Sequence, residues 1–140
     1  MAGRRALVVD SSVAVKWFTR EEKSKEAIEL MDAHATGEGE LAATELLLCE
    51  VANALRHNPG FSTEVLGEAV GQLFRLHLLI APLDERLLRR AVEIAFDGGV
   101  TVYDALPVAL AEDVKTVCIT ADEKIQYGCL KPKGYPVRLL

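Results

Sequence analysis

The chain is short of the residues that staple small folds or mark common sites. It has three cysteines, Cys49, Cys118 and Cys129, an odd number with no CxxC or Cys/His spacing. That excludes a disulfide framework and a cysteine-ligated zinc site, and the three read as buried thiols in a reducing compartment. The three histidines, His34, His57 and His77, are scattered. Only two Asn and two Gln occur, a bias found in heat-adapted proteins. Positive charge is also scarce: 16 Lys plus Arg stand against 21 Asp plus Glu, a net charge of -5. A broad polyanion-binding surface would be basic, so any nucleic-acid contact needs local neutralisation by metal ions. No apolar run approaches transmembrane length, and Met1-Ala2-Gly3-Arg4-Arg5 is followed by too few apolar residues before Asp10 for a signal-peptide core. The expectation is a cytoplasmic protein that does not engage a membrane. With no internal repeat, linker or low-complexity tract, residues 1–140 read as one domain. Half the residues are hydrophobic, enough for a core without staples.

What is there centres on Ala6-Leu7-Val8-Val9-Asp10-Ser11-Ser12. An apolar run ending abruptly in a carboxylate and two hydroxyls reads as a short buried strand followed by a turn. A strand with no polar face belongs in the middle of a parallel sheet covered on both sides. Its C-terminal end is where ligands sit in open α/β sheets. Asp10 is therefore either a site residue or a helix cap.

Further along, helices are expected from Ser12 to Phe18, from Arg20 to Ala35, and from Glu45 to about His57, the last capped by Thr44. Others are expected from Ser62 or Thr63 to Leu76, from Asp84 to Phe96, and from Tyr103 to Glu112. In the Asp84–Phe96 helix, Leu87, Leu88, Ala91, Val92 and Ala95 are expected to face inward. Strands are expected at Leu41–Ala43, Leu78–Pro82, Thr116–Ile119 and Val137–Leu140. Strands separated by helices imply an α/β fold, a mostly parallel sheet of four or five strands between helical layers. One of Trp17 and Phe18 belongs to the core.

Four acidic residues lie where a charge is unexpected. Asp10 ends the first strand. Glu50 sits inside Leu46-Leu47-Leu48-Cys49-Glu50-Val51-Ala52-Asn53-Ala54-Leu55, the most apolar helix, where a charge is rare unless paired or metal-bound. Asp104 opens a helix in Thr101-Val102-Tyr103-Asp104-Ala105-Leu106, and Asp122 follows the strand ending in Thr120-Ala121. Taken singly, Asp104 and Asp122 have an ordinary role as helix caps, and Glu50 shares a helix face with Asn53 and His57 that solvent can wet. Taken together, they can meet at one crevice. Two such charges about 4 Å apart repel by about 4 kcal/mol at an effective dielectric of about 20. Four would need a cation, and an all-oxygen donor set selects Mg²⁺ or Mn²⁺ over zinc.

These stretches resemble the PIN-domain family, especially the toxin subunits of VapBC-type toxin–antitoxin pairs. The resemblance is carried by Leu7-Val8-Val9-Asp10-Ser11-Ser12, Glu50-Val51-Ala52-Asn53-Ala54-Leu55, Tyr103-Asp104-Ala105-Leu106 with Ala109-Leu110-Ala111, and Thr120-Ala121-Asp122, and it spans essentially the whole chain. It implies a three-layer α/β/α fold and a metal-dependent ribonuclease that cuts single-stranded RNA at an acidic pocket holding Mg²⁺ or Mn²⁺. By position, Asp10, Glu50, Asp104 and Asp122 match the acidic quartet, with Ser12, Asn53 and Thr120 as supporting residues. A homodimer and an antitoxin protein are the implied partners. Pro107 stands where the family often has an aromatic residue; it is expected in a first helical turn, where proline is tolerated. Lys16, Arg20, Arg56 and Lys124 either rim the pocket for RNA or are ordinary surface charges.

Two rival readings belong to other classes. One keeps the fold as a catalytically silent binding or regulatory module. The other makes Asp10 a phosphoryl-accepting nucleophile. A haloacid-dehalogenase-like phosphatase would want a second Asp two residues on, where Ser12 stands, and a receiver-like acidic pair with a later Lys is not evident.

Overall fold

A computed structural model describes residues 6–140; the expectation for Met1–Arg5 lies outside the described residues. Five strands form one all-parallel sheet: β1 (Leu7–Val9), β2 (Leu41–Thr44), β3 (Leu79–Ala81), β4 (Cys118–Thr120) and β5 (Val137–Leu139), in the order β3-β2-β1-β4-β5. The helices are α1 (Ser11–Ala14), α2 (Ser24–Thr36), α3 (Leu46–Arg56), α4 (Thr63–Arg75), α5 (Glu85–Gly98), α6 (Val102–Asp113) and the one-turn α7 (Gly128–Leu130).

The period of two along each strand divides the core into two layers. Val8, Ala42, Cys118 and Val137 face α5, α6 and α7, packing on Leu87, Ile94, Leu106, Leu110 and Leu130. Val9, Leu41, Ala43 and Ile119 face the other way, onto Val13, Trp17, Ala27, Leu47, Val51, Leu55 and Leu73. The α/β/α sandwich expected from the sequence is thus observed, with β1 at its centre.

The strand order places the site. The chain runs outward from β1 through β2 to β3, then returns to the other side of β1 for β4 and β5. The direction of winding reverses between β1 and β4, and in open parallel sheets the crevice for ligands opens beyond the carboxyl ends of the strands at such a reversal. The two strands are in register there, with Val9 beside Ile119 and the Asp10 N–H donating to the Ile119 carbonyl at 3.0 Å.

Several local expectations need correction. The second helix begins at Ser24 rather than Arg20, because Lys23 takes a left-handed backbone with φ of 69°. Thr44 ends β2 and does not cap α3, which starts from Glu45 without a side-chain cap. On α5 the inward set is Leu87, Ala91, Ile94 and Ala95, while Leu88 and Val92 are each 38% exposed. The buried stripe is rotated toward Ile94 because α5 lies along α6 rather than flat on the sheet. Cys49 is exposed, so only Cys118 is the fully buried thiol expected of all three. β4 is shifted to Cys118–Thr120, which draws Thr120 into the sheet. Of the aromatic pair, Trp17 is the core residue, its indole N–H donating to the Ala27 carbonyl at 2.9 Å.

Pro107 lies in the second turn of α6, not the first, because the helix starts at Val102 with Thr101 as its cap. A proline there offers no N–H to the Tyr103 carbonyl and kinks a helix. Residues Ala105 to Ala111 are all buried. No single helix among the described residues is long and apolar enough to cross a membrane.

Candidate active site

The two strand ends at the crevice are tied together by hydroxyls. Asp10 is the N-cap of α1, its Oδ2 accepting from the Ser12 N–H at 3.0 Å. Ser12 Oγ lies 3.2 Å from Thr120 Oγ1 and accepts the Ala121 N–H at 2.9 Å. Thr120 Oγ1 accepts the Asp122 N–H at 3.0 Å and donates to Asp10 Oδ2 at 3.5 Å. The buried hydroxyl of Thr120 thus joins both acidic segments.

Asp122 caps the turn that follows β4, accepting from the Ile125 N–H at 3.1 Å and the Gln126 N–H at 3.2 Å. Asp104 sits in the first turn of α6, whose cap Thr101 accepts the Asp104 N–H at 3.0 Å. Asp10 and Asp122 therefore cap helical turns and Asp104 stands in a capped first turn. The ordinary capping role is therefore present for Asp10 and Asp122.

Electrostatic repulsion links the four in pairs. Glu50, half-buried on α3, has its carboxyl pushed up to about 7 by burial first, then by the charges of Asp10 and Asp104, with a hydrogen bond to Ser11 opposing. Asp104 is raised by burial, then by Asp10 and Asp122, while its hydrogen bond with Thr101 pulls the other way. The charges acting on these two residues are those of other members of the quartet. Burial and the Asp10 charge also raise the Cys118 thiol far above its ordinary range. Burial and neighbouring carboxylates raising Glu50 and Asp104 together make a pattern concentrated at functional sites.

The other expected residues are less central. Asn53 is exposed, and its carbonyl pairs with His57 Nδ1 at 2.9 Å. Lys16 is held by its own segment, donating to Glu21 Oε1 at 2.8 Å and to the Glu22 carbonyl at 2.7 Å. Arg20, Arg56 and Lys124 are exposed. An apolar groove of about 370 Å³ adjoins the site, lined by Leu46, Cys49, Leu83, Leu88, Tyr103 and Leu106.

Among the described residues, no three His, Cys, Asp or Glu side chains stand close enough, as placed, to hold one metal ion. The donor chemistry still suits a hard divalent cation. Carboxylate oxygens backed by hydroxyls, with the mutual repulsion just described, are the set that Mg²⁺ and Mn²⁺ prefer. Glu50 and Asp104 are only half-buried.

Sequence reasoning overlooked Gln126, which is fully buried while its neighbour Ile125 is exposed. The inversion comes from a π-helical turn over Glu123–Tyr127, and no hydropathy pattern announces it.

An all-parallel sheet with helices on both faces and an acidic crevice at the reversal of winding defines a class. Residues 7–127 match the PIN domain, and the chain belongs to the PIN-domain family. It is 32% identical over 123 residues to Ribonuclease VapC3 of Pyrobaculum aerophilum, a match covering 85% of this chain and 91% of that protein. The fold is shared with FitAB bound to the IR36 DNA fragment, with a TM-score of 0.72 and 16% identity over 95% of this chain and 94% of that one. It is also shared with a toxin–antitoxin complex from Klebsiella pneumoniae, with a TM-score of 0.67 and 15% identity over 88% and 92% of the two chains.

Proposed function

We propose that this chain is a Mg²⁺- or Mn²⁺-dependent ribonuclease that hydrolyses phosphodiester bonds of single-stranded RNA in the cytoplasm, as the toxin of a toxin–antitoxin pair. The observation that carries the reading is the mutual electrostatic coupling of Asp10, Glu50, Asp104 and Asp122 at the switch point of the sheet. The similarity to a VapC ribonuclease over most of both chains supports the reaction class. The shared fold with a toxin–antitoxin complex supports an antitoxin protein as partner, and a homodimer is the assembly we propose for the chain itself.

Asp10, Asp104 and Asp122 would hold the cation, with Glu50 completing the set. A cation held by these residues would supply a lowered pKa for a bound water and would steady charge on the phosphate and the leaving oxygen. Glu50 would orient the attacking water and take a proton on a carboxylate oxygen. Ser12 and Thr120 fix Asp10 and the Asp122 segment by the hydrogen bonds given above. Asn53, one turn beyond Glu50, would support from the exposed side.

The test is cleavage of an end-labelled, mixed-sequence single-stranded RNA by wild type and Asp104→Asn, in Mg²⁺, in Mn²⁺ and in chelator. Metal-dependent cleavage by wild type alone is expected. Equal cleavage by both proteins would sink the assignment of Asp104. Absence of cleavage together with absence of Mn²⁺ binding would favour the silent binding module.

A further inference from the structure

The strongest unassigned feature is the buried amide of Gln126. The side chain is 0% exposed, and its Nε2 donates to the backbone carbonyl of Asp104 at 2.8 Å across 22 residues of sequence. The backbone N–H of the same residue donates to Asp122 Oδ2 at 3.2 Å. One residue therefore grips two acidic segments, the first turn of α6 and the loop after β4. Its Oε1 has no hydrogen-bond partner among the described residues. A buried amide with one end unpaired is costly, so its place needs a reason other than core packing.

The local backbone is built to turn this residue inward. The Tyr127 N–H donates to the Asp122 carbonyl at 3.0 Å, a five-residue step that widens the turn. Gly128 closes it: a Cβ there would lie 2.9 Å from the Glu123 carbonyl oxygen, closer than side chains tolerate. The wide turn places Ile125 outside and Gln126 inside. On the receiving side, the Asp104 carbonyl follows that of Tyr103, the one that Pro107 deprives of its helical donor. The first turn of α6 is thus weakly held by its own helix at the point where Gln126 takes hold.

We infer that Gln126 is a positioning residue, a clamp that holds Asp104 and Asp122 at a fixed separation for joint binding of the divalent cation. The inference rests on the metal-site reading above for its functional half, and on the hydrogen bonds alone for its structural half. Gln126 touches neither substrate nor reacting atoms; it acts through the two aspartates.

The test uses Gln126→Met, which keeps the length and burial of the side chain while removing the donor. Amide hydrogen exchange is read on the metal-free protein, and Mn²⁺ affinity by calorimetric titration of wild type and variant. Expected is about tenfold faster exchange at the amides of Asp104, Ala105 and Gln126, the worth of one hydrogen bond, with the amides of Val8 and Cys118 in the central strands unchanged. Mn²⁺ affinity is expected to fall by about 10–100-fold, the usual effect of losing a group that orients a ligand. Unchanged exchange at Asp104 and Ala105 would overturn the clamp. A uniform rise that includes Val8 and Cys118 would make Gln126 an ordinary core residue and overturn it equally. Mn²⁺ binding by the variant equal to that of wild type would overturn this inference alone. Failure of wild type to bind Mn²⁺ would overturn the metal-site reading and the functional half of the inference with it.

Discussion

Ser12 Oγ and Thr120 Oγ1 lie 3.2 Å apart although 108 positions separate them in the chain. The contact joins the turn after β1 to the end of β4, the two strands between which the winding reverses. Thr120 uses its hydroxyl fully, donating to Asp10 Oδ2 and accepting from the Asp122 N–H and from Ser12. Removing that oxygen leaves buried groups of both segments without their partner.

Thr120→Val keeps the shape and removes the hydroxyl. It is expected to cost about 1–3 kcal/mol of stability, the range for stranding buried polar groups. Urea denaturation measures this. On the proposed metal-site reading, Mn²⁺ affinity should fall by about 10–100-fold in the same variant, since the hydroxyl would orient ligands rather than bind metal itself. A loss of stability with unchanged Mn²⁺ affinity would reduce Thr120 to a purely structural role.

Pro107→Ala addresses the one clear departure from the family pattern. The residue is interior to α6, where proline costs about 3 kcal/mol relative to alanine. Alanine returns an N–H to the Tyr103 carbonyl but gives up about 0.4–1 kcal/mol of restriction on the unfolded chain. A net gain of about 2–2.6 kcal/mol is expected from these two terms, read as a higher urea midpoint with an unchanged denaturant slope. A loss would mean that the buried proline ring contributes more by packing than it costs in hydrogen bonding.

Much of this was legible in the sequence because strand ends and helix starts announce themselves. Leu7-Val8-Val9 followed by Asp10 gave a central strand with a carboxylate at its end, and the structure places it there. Asp104 and Asp122 were singled out for the same reason, as acids at element boundaries, and they lie in the first turn of α6 and at the cap of the turn after β4. Strand order was not legible, since β1, β2 and β4 are all mostly apolar and pairing is settled by how helices pack across them. Gln126 was hidden because a π-turn breaks the 3.6-residue period on which inward and outward faces are assigned. Pro107 was wrongly put in the first turn: even from a start at Tyr103 it is the fifth helical residue, and with the start at Val102 it is the sixth.

Asp104→Asn separates repulsion from ligation. Without metal, the variant loses a carboxylate that Asp10 and Asp122 oppose, yet the amide oxygen still accepts from Thr101. It is expected to be as stable as wild type or slightly more so in chelator. With Mn²⁺ at about 100 times its dissociation constant, wild type should gain about 2.7 kcal/mol by mass action, and the variant well under half of that. Urea midpoints in Mn²⁺ and in chelator give both numbers. An equal Mn²⁺ gain in both proteins would exclude Asp104 from the cation's ligands.

Glu50 gives the sign of the pH dependence. Its folded carboxyl is raised from 4.5 to about 7 by burial and by Asp10 and Asp104. Between these values the folded state binds the proton more tightly than the unfolded chain does, so stability falls as pH rises through that window. Below pH 4.5 Glu50 is protonated in both states and contributes no difference; above about 7 the full penalty is present. A shift of this size is worth about 3 kcal/mol for a fully buried group, and partial exposure of Glu50 reduces it to about 1–2 kcal/mol. Glu50→Gln, measured in chelator, should therefore match wild type near pH 4.5 and exceed it by about 1–2 kcal/mol at pH 8. Added Mn²⁺ should narrow or reverse the gap at pH 8, because a cation favours the ionised carboxyl that the variant lacks. A gap that is the same at pH 4.5 and pH 8 would mean that Glu50 carries no strained charge. The coupling on which the proposed site rests would then be lost with it.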